Sequence, residues 1–333
     1  MRLLTRLHSL RAVWLAPRLL NSRKRLFSQG YGGSNITVTD ITVPVPWGSV
    51  AGKWWGATDV QPIIAVHGYE DNAGSFDGLA PLLVSESTSV LAIDLPGHGL
   101  SSHYPLGMAY NFMDGVILLQ ILSKYFKWDK VSIIAHSFGS KVAFTYAAFF
   151  PEKVENLVGI DCVRAHITQK EEDVVYHLKT TIEHVLNLEE KMSKNKPPAY
   201  SMDGMISLVQ RGSRGPMSKK CIETILKRGA KKSDINGKFC FSRDPRLRTL
   251  PFGRLSEEML FACASRVSCN VLQIIANPGW KLGDSEARRK TDELMKKGAK
   301  RFEEHVVEGS HHIHVDAPER VAPIVKNFIA MQC

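Results

Sequence analysis

The sequence predicts an α/β protein: a mostly parallel, eight-stranded sheet with helices on both faces and a helical cap inserted after the sixth strand. Three observations predict it. From Pro62 to Ile160, short apolar runs of strand length alternate with stretches of helical periodicity, the rhythm that builds parallel sheets. After Asp161 the rhythm stops, and residues 162–255 read as helical, charged and poor in strands. Between Asn270 and Ile329 strand and helix alternate again. An insertion that splits one sheet reads as a cap over the strand ends, where open α/β sheets bind ligands.

Residues 1–33 stand apart. Arg2, Arg6, Arg11, Arg18, Arg23, Lys24 and Arg25 are interspersed with Leu3, Leu4, Leu7, Leu10, Val13, Trp14 and Leu15, and the first acidic residue is Asp40. An amphipathic, Arg-rich leader without acids reads as a mitochondrial transit peptide, with the import machinery as its partner. Arg25-Leu26-Phe27-Ser28 resembles a matrix-peptidase site, with a cut after Phe27. Residues 1–33 are therefore expected to lie outside the fold; a chain that is not imported would reside in the cytoplasm or the peroxisome.

The first part of the core is expected over residues 34–161. Ile36–Val45 and Val50–Trp55 alternate apolar and polar residues around Pro46-Trp47-Gly48, as a hairpin does. Then come a strand at Pro62–Val66, a helix at Phe76–Leu83 and a strand at Ser89–Ile93. A helix at Asn111–Phe126 is marked by Met113, Val116, Ile117, Leu119, Ile121 and Leu122. It is followed by a strand at Val131–Ala135, a helix at Lys141–Phe150 and a strand at Leu157–Ile160. The cap, residues 162–255, carries helical periodicity at Val174–Leu188 and Ser218–Lys227. The second part of the core, residues 256–333, offers strands at Asn270–Ile275 and His305–Val307 and helices at Ser285–Lys297 and Pro318–Ile329.

Composition excludes several classes. The apolar fraction of 44% is that of an ordinary globular protein, and no window approaches the roughly 18 uncharged apolar residues of a membrane span. The formal charge of +10 is unevenly spread: residues 1–39 carry +7, residues 162–255 carry +9, and the remainder carries −6. A uniformly basic nucleic-acid binder would not show this partition. Cys162, Cys221, Cys240, Cys263, Cys269 and Cys333 form no CxxC pair, which suits a reducing compartment.

The chemistry concentrates in four motifs. Ala135-His136-Ser137-Phe138-Gly139 stands between a strand and a helix. It is the G-x-S-x-G nucleophile elbow with Ala first, and it presents the serine oxygen at the head of a helix, where amides favour negative charge. His67-Gly68-Tyr69 ends the strand Pro62–Val66. Asp94-Leu95-Pro96-Gly97-His98-Gly99 follows the strand ending at Ile93, and its glycines suit a structural turn. Gly309-Ser310-His311-His312-Ile313-His314 lies between the last strand and the last helix. A serine hydroxyl needs a base such as imidazole within hydrogen-bond reach. Three close histidines also suggest a metal, but no carboxylate–His spacing elsewhere completes a ligand set, so none is expected.

Together these features resemble the α/β-hydrolase superfamily over about residues 37–330. More narrowly, Val43–Gly48, Asp94–His103, Arg243–Leu247 and His311–Pro318 look like the serine hydrolase-like proteins, the group that includes the insect protein kraken. The resemblance implies Ser137 as nucleophile and His311 as base, with His312 as fallback and His314 as a packed structural residue. It implies an oxyanion hole from the amides of Tyr69 and Phe138. The acid departs from the pattern: Asn277-Pro278-Gly279-Trp280 stands where the superfamily usually has Asp. Asp161, at the tip of the strand Leu157–Ile160, and Asp284, several residues late, both remain candidates.

The expected activity is a serine hydrolase acting on a carboxylic ester, thioester or lactone of a small-molecule acyl substrate, without metal, flavin or nucleotide cofactor. Two other readings share the scaffold: a catalytically silent fold that binds a ligand or partner, and cofactor-free proton-transfer or oxygenase chemistry. A dehalogenase or epoxide hydrolase would need Asp as nucleophile, which Ser137 rules against.

Overall fold

All eight expected strands form in the computed structural model, which describes residues 23–27, 36–162, 171–213, 216–249, 251–279 and 286–331. They are β2 (Ile36–Val45), β3 (Gly48–Trp55), β4 (Pro62–Val66), β5 (Ser89–Ile93), β6 (Val131–His136), β7 (Val154–Ile160), β10 (Asn270–Pro278) and β11 (Arg301–Gly309). The spatial order is β2-β3-β5-β4-β6-β7-β10-β11, antiparallel as far as the β3–β5 pair and parallel from there on.

One expectation is corrected here. Residues 1–33 were to lie outside the fold, yet β1 (Arg23–Phe27) pairs antiparallel with Ile36–Asp40 and adds a ninth strand at the β2 edge. An edge strand presents unpaired N–H and C=O groups, and any extended neighbouring segment can satisfy them. Residues 1–22, the greater part of the leader, lie outside the described residues.

Alternate residues of the central strands face opposite ways, and both faces are covered. Ile64, Val66, Leu91, Ile93 and Ile133 pack against α2 (Met113–Phe126) and α3 (Phe138–Phe149) through Leu118, Leu119, Leu122, Val142 and Phe144. Ile63, Ala65, Val90, Ala92 and Ile134 pack against α1 (Ala80–Leu83) and α10 (Pro318–Ala330) through Leu83, Val321, Val325 and Phe328. The helix expected at Phe76–Leu83 is broken into a 3-10 turn, Ala73–Phe76, and the short α1. Between them Gly78 lets Pro318 approach, where a Cβ would meet Pro318 Cγ at 3.1 Å.

The insertion after β7 contains α4 (Glu171–Lys194), α5 (Met202–Gly212), α6 (Lys219–Gly229) and a small hairpin of β8 (Ala230–Lys232) and β9 (Phe239–Phe241). Ser201 and Ser218 start α5 and α6 by accepting from the amides of Gly204 and Cys221. After the insertion, α7 (Glu257–Ala264) and α8 (Glu286–Gly298) return the chain to the sheet. No disulfide forms among the described residues, and the five cysteines there are buried.

Two arginines, the half-buried Arg228 and the buried Arg246, fasten the insertion to the core. Arg228 of α6 donates to Asp94 Oδ2 at 2.8 Å, and the same carboxylate accepts from the amides of Ala73 and Leu100. That gives the Asp94–Gly99 turn its work: Gly99 (φ +52) must lack a Cβ, because one would fall 2.3 Å from Asp94 Cγ. Arg246, 1% exposed, donates to both oxygens of Asp244, to Glu189 of α4 and to the carbonyls of Tyr104, Pro105 and Met108. Burial works to raise the Asp244 carboxyl pKa, but the hydrogen bonds from Arg246 outweigh it and hold it below the usual range. Asp244→Ala leaves the guanidinium buried beside an absent carboxylate, a change expected to cost roughly 3–5 kcal/mol. Urea unfolding measures it; a loss under about 1 kcal/mol would mean that Glu189 and the carbonyls suffice.

Candidate active site

The parallel strands deliver their C-terminal ends to one edge, and each candidate residue sits on a connection leaving it. Ser137 follows β6 directly and precedes α3, with φ +50° and ψ −113°. A non-glycine residue in that region costs on the order of 1–3 kcal/mol and persists only where the surroundings impose it. Here the imposition is visible. Gly139, two residues on, presses so closely on the exit of β4 that a Cβ would meet the Val66 carbonyl oxygen at 2.3 Å. Ser140 turns its hydroxyl back to the Ala135 carbonyl at 2.8 Å, locking the turn from below.

His311 lies after β11, three strands away from β6 in the sheet. At about 4.8 Å per strand the connection must fold back by some 14 Å to reach the serine. Two features fold it. Gly309 (φ +158) packs on Ile313, and the buried His136, beside Ser137, donates through Nε2 to the His311 carbonyl at 2.9 Å. The His311 ring then stands with Nε2 2.9 Å from Ser137 Oγ and Nδ1 2.5 Å from Asp161 Oδ2.

Asp161 extends β7, the strand beside β6, and also has positive φ, +50°. Its other carboxylate oxygen accepts from the Ala276 amide of β10 at 2.9 Å, and the residue is 4% exposed. A carboxylate only accepts, so His311 Nδ1 carries the proton and Nε2 presents its lone pair to the serine hydroxyl. The structure thus brings Ser137, His311 and Asp161 into one hydrogen-bonded line. Asp284 lies outside the described residues. His312 turns away toward Asp71, and His314 is fully buried.

Phe138 opens α3, so its amide has no intrahelical partner. Tyr69 lies on the exit of β4, with its ring centroid 5.2 Å from that of Phe138 and its hydroxyl donating to the Thr249 carbonyl. The contact of Gly139 with Val66 and His67 holds these two backbone segments side by side. Beneath them His67 Nδ1 donates to the Gly68 carbonyl and Nε2 accepts from the Leu95 amide, which fixes the loop from the inside.

Sequence reasoning passed over Asp71 and His136. Both are buried, and Asp71 Oδ2 stands 3.6 Å from His136 Nδ1 and 3.3 Å from His312 Nε2. Burial drives the His136 pKa down to about 4. Burial also opposes charge on His312 and on Asp71, but the two attract strongly enough that His312 is raised and Asp71 held well below the carboxylate range. The available signal was position alone: His136 precedes Ser137, and Asp71 comes two residues after Tyr69.

Comparison with known proteins agrees with this architecture. The family profile described as "alpha/beta hydrolase fold" matches residues 61–181. A "Probable serine hydrolase" of Drosophila melanogaster is 37% identical over 291 residues, covering 87% of each chain. A "Serine hydrolase-like protein" of Mus musculus is 32% identical over 301 residues, covering 87% of this chain and 95% of the relative. Among solved structures, a hypothetical protein from Pseudomonas aeruginosa PAO1 superposes with a TM-score of 0.75 at 27% identity, over 87% of this chain and 99% of that one. With the elbow, the sheet order and these similarities in agreement, the chain belongs to the serine hydrolase-like family of α/β-hydrolase-fold proteins.

Proposed function

We propose that this protein hydrolyses carboxylic esters by acyl transfer through Ser137, with thioesters and lactones as chemically related substrates. The observation that carries the reading is the line Ser137 Oγ–His311 Nε2 at 2.9 Å and His311 Nδ1–Asp161 Oδ2 at 2.5 Å. His311 takes the serine proton as Oγ attacks the carbonyl carbon, and Asp161 stabilises the imidazolium that forms. The amides of Tyr69 and Phe138 receive the oxyanion, a contribution of about 2.7–4 kcal/mol per donor in such sites. His311 returns the proton to the leaving alkoxide, and water repeats the sequence on the acyl-enzyme.

The silent-fold reading drew its support from the missing acid after β10, and Asp161 beside His311 argues against it. The test is labelling of the folded protein by a fluorophosphonate probe, together with turnover of p-nitrophenyl acetate and butyrate. One label per chain with ester turnover is expected. A folded chain that neither labels nor turns over would make the silent fold the better reading.

A further inference from the structure

We propose that Asp71, His136 and His312 form a binding site for a first-row divalent cation of the Zn²⁺ type, directly beneath the loop that carries His311. One oxygen of Asp71 and one ring nitrogen from each histidine all lie within 4.8 Å of one another, and all three residues are buried.

The surroundings of His136 set its tautomer. Its Nε2 faces the His311 carbonyl at 2.9 Å, and a carbonyl only accepts, so Nε2 carries the proton. With Nδ1 3.6 Å from the nearest carboxylate oxygen, beyond hydrogen-bond reach, nothing holds a second proton on the ring. Nδ1 therefore presents a lone pair, and what it faces at 3.6 Å is Asp71 Oδ2, another acceptor. Neither atom has a hydrogen-bond partner among the described residues, and both are buried. Two buried lone pairs turned toward each other are unfavourable unless something positive stands between them. A proton on His312 balances the charge of Asp71 at 3.3 Å, but it does nothing for His136 Nδ1. A cation coordinated by all three satisfies every one of these atoms.

The donor set and its support fit such an ion. Two imidazoles and a carboxylate suit zinc and its neighbours rather than Ca²⁺ or Mg²⁺. Tetrahedral ligands at about 2.0–2.2 Å stand roughly 3.4 Å apart; the 3.6 and 3.3 Å separations around Asp71 Oδ2 are close to this, and the two histidines, within 4.8 Å of each other, draw together as the ion binds. A ligating histidine that donates its other ring N–H to a backbone carbonyl is the usual second support of a metal site, and His136 does this to His311. Gly68 keeps the cradle open: a Cβ there would fall 2.8 Å from His136 Nδ1 and 3.0 Å from Asp71 Oδ2. His312, with 11% of its side chain exposed, is the ligand nearest solvent and leaves a path for entry and for a water as fourth ligand. No local spacing links the carboxylate to the histidines, because Asp71 is some 240 residues from His312.

The test loads full-length protein with Co²⁺ or Zn²⁺, dialyses it, and reads metal per chain and the visible absorption of bound Co²⁺. Wild type is expected to retain one equivalent and to show the strong visible band of tetrahedral cobalt. Asp71→Asn and His312→Gln should each weaken retention at least tenfold, and Gly68→Ala should do so with every ligand in place. Two controls should keep the metal: His305→Gln, on the exposed surface of β11, and His311→Ala, which excludes chelation by the catalytic residues. Absence of the band in wild type overturns the proposal, as a buried water bridging the two acceptors would give no metal retention. Binding that survives Asp71→Asn, or that disappears in His311→Ala, overturns it equally. Should Asp71→Asn fail to fold, the spectra of wild type, Gly68→Ala and His311→Ala decide.

Discussion

Ser137→Ala is expected to lower kcat on a p-nitrophenyl ester by roughly 10⁵–10⁶-fold and to abolish fluorophosphonate labelling. At about 1.36 kcal/mol per decade this is some 7–8 kcal/mol of transition-state stabilisation. The loss is large because His311 and Asp161 act only through the serine oxygen: without Oγ, His311 Nε2 has no proton to take. A residual rate above that of water should remain, since the amides of Tyr69 and Phe138 are backbone groups that the substitution leaves in place. Stability should hardly change, because Ala at φ +50° meets the same backbone strain as Ser and the Gly139 contact is untouched. Labelling that persists in a folded Ser137→Ala chain would place the nucleophile elsewhere.

Asp161→Asn should be the second largest loss, roughly 10⁴-fold in kcat with the fold retained. An amide in place of the carboxylate can donate to His311 Nδ1, and the ring then carries its proton on Nε2. Nε2–H would then donate to Ser137 Oγ across the 2.9 Å gap instead of accepting its proton, and the base is lost without any change of shape. The same amide still accepts from Ala276 through its carbonyl oxygen, so the tie to β10 survives. Asp284→Asn is the necessary comparison, since the sequence offers both carboxylates. It is expected to leave kcat within about twofold, since Asp161 already supplies the carboxylate at His311. The opposite ranking would make Asp284 the acid and leave Asp161 a structural role at the β7–β10 junction.

These experiments divide what could be read from the sequence from what could not. Ser137 was legible because an elbow is local: a strand, a five-residue turn and a helix, with the small Ala135 and Gly139 where the backbone leaves no room. The strands were legible because burial on both faces demands continuous apolar runs such as Ile63–Val66 and Val131–Ala135. The break at Phe76–Leu83 was not, since it depends on Pro318 packing against Gly78 from the far end of the chain. Nor was β1, since a basic leader shows no strand periodicity and its pairing needs only the open edge of β2.

The sequence by itself determined the α/β class, the insertion after the sixth strand, the elbow that carries Ser137 and the loop that carries His311. Each of these is written in contiguous residues whose periodicity or turn chemistry is set by near neighbours. Only the tertiary structure decided which carboxylate meets His311, and that Asp71, His136 and His312 share one buried space. The physical reason is distance along the chain. A hydrogen bond such as that between Asp161 and His311 spans 150 residues, and its partners come together through the order of strands in a sheet, which leaves no local pattern in either residue's neighbourhood.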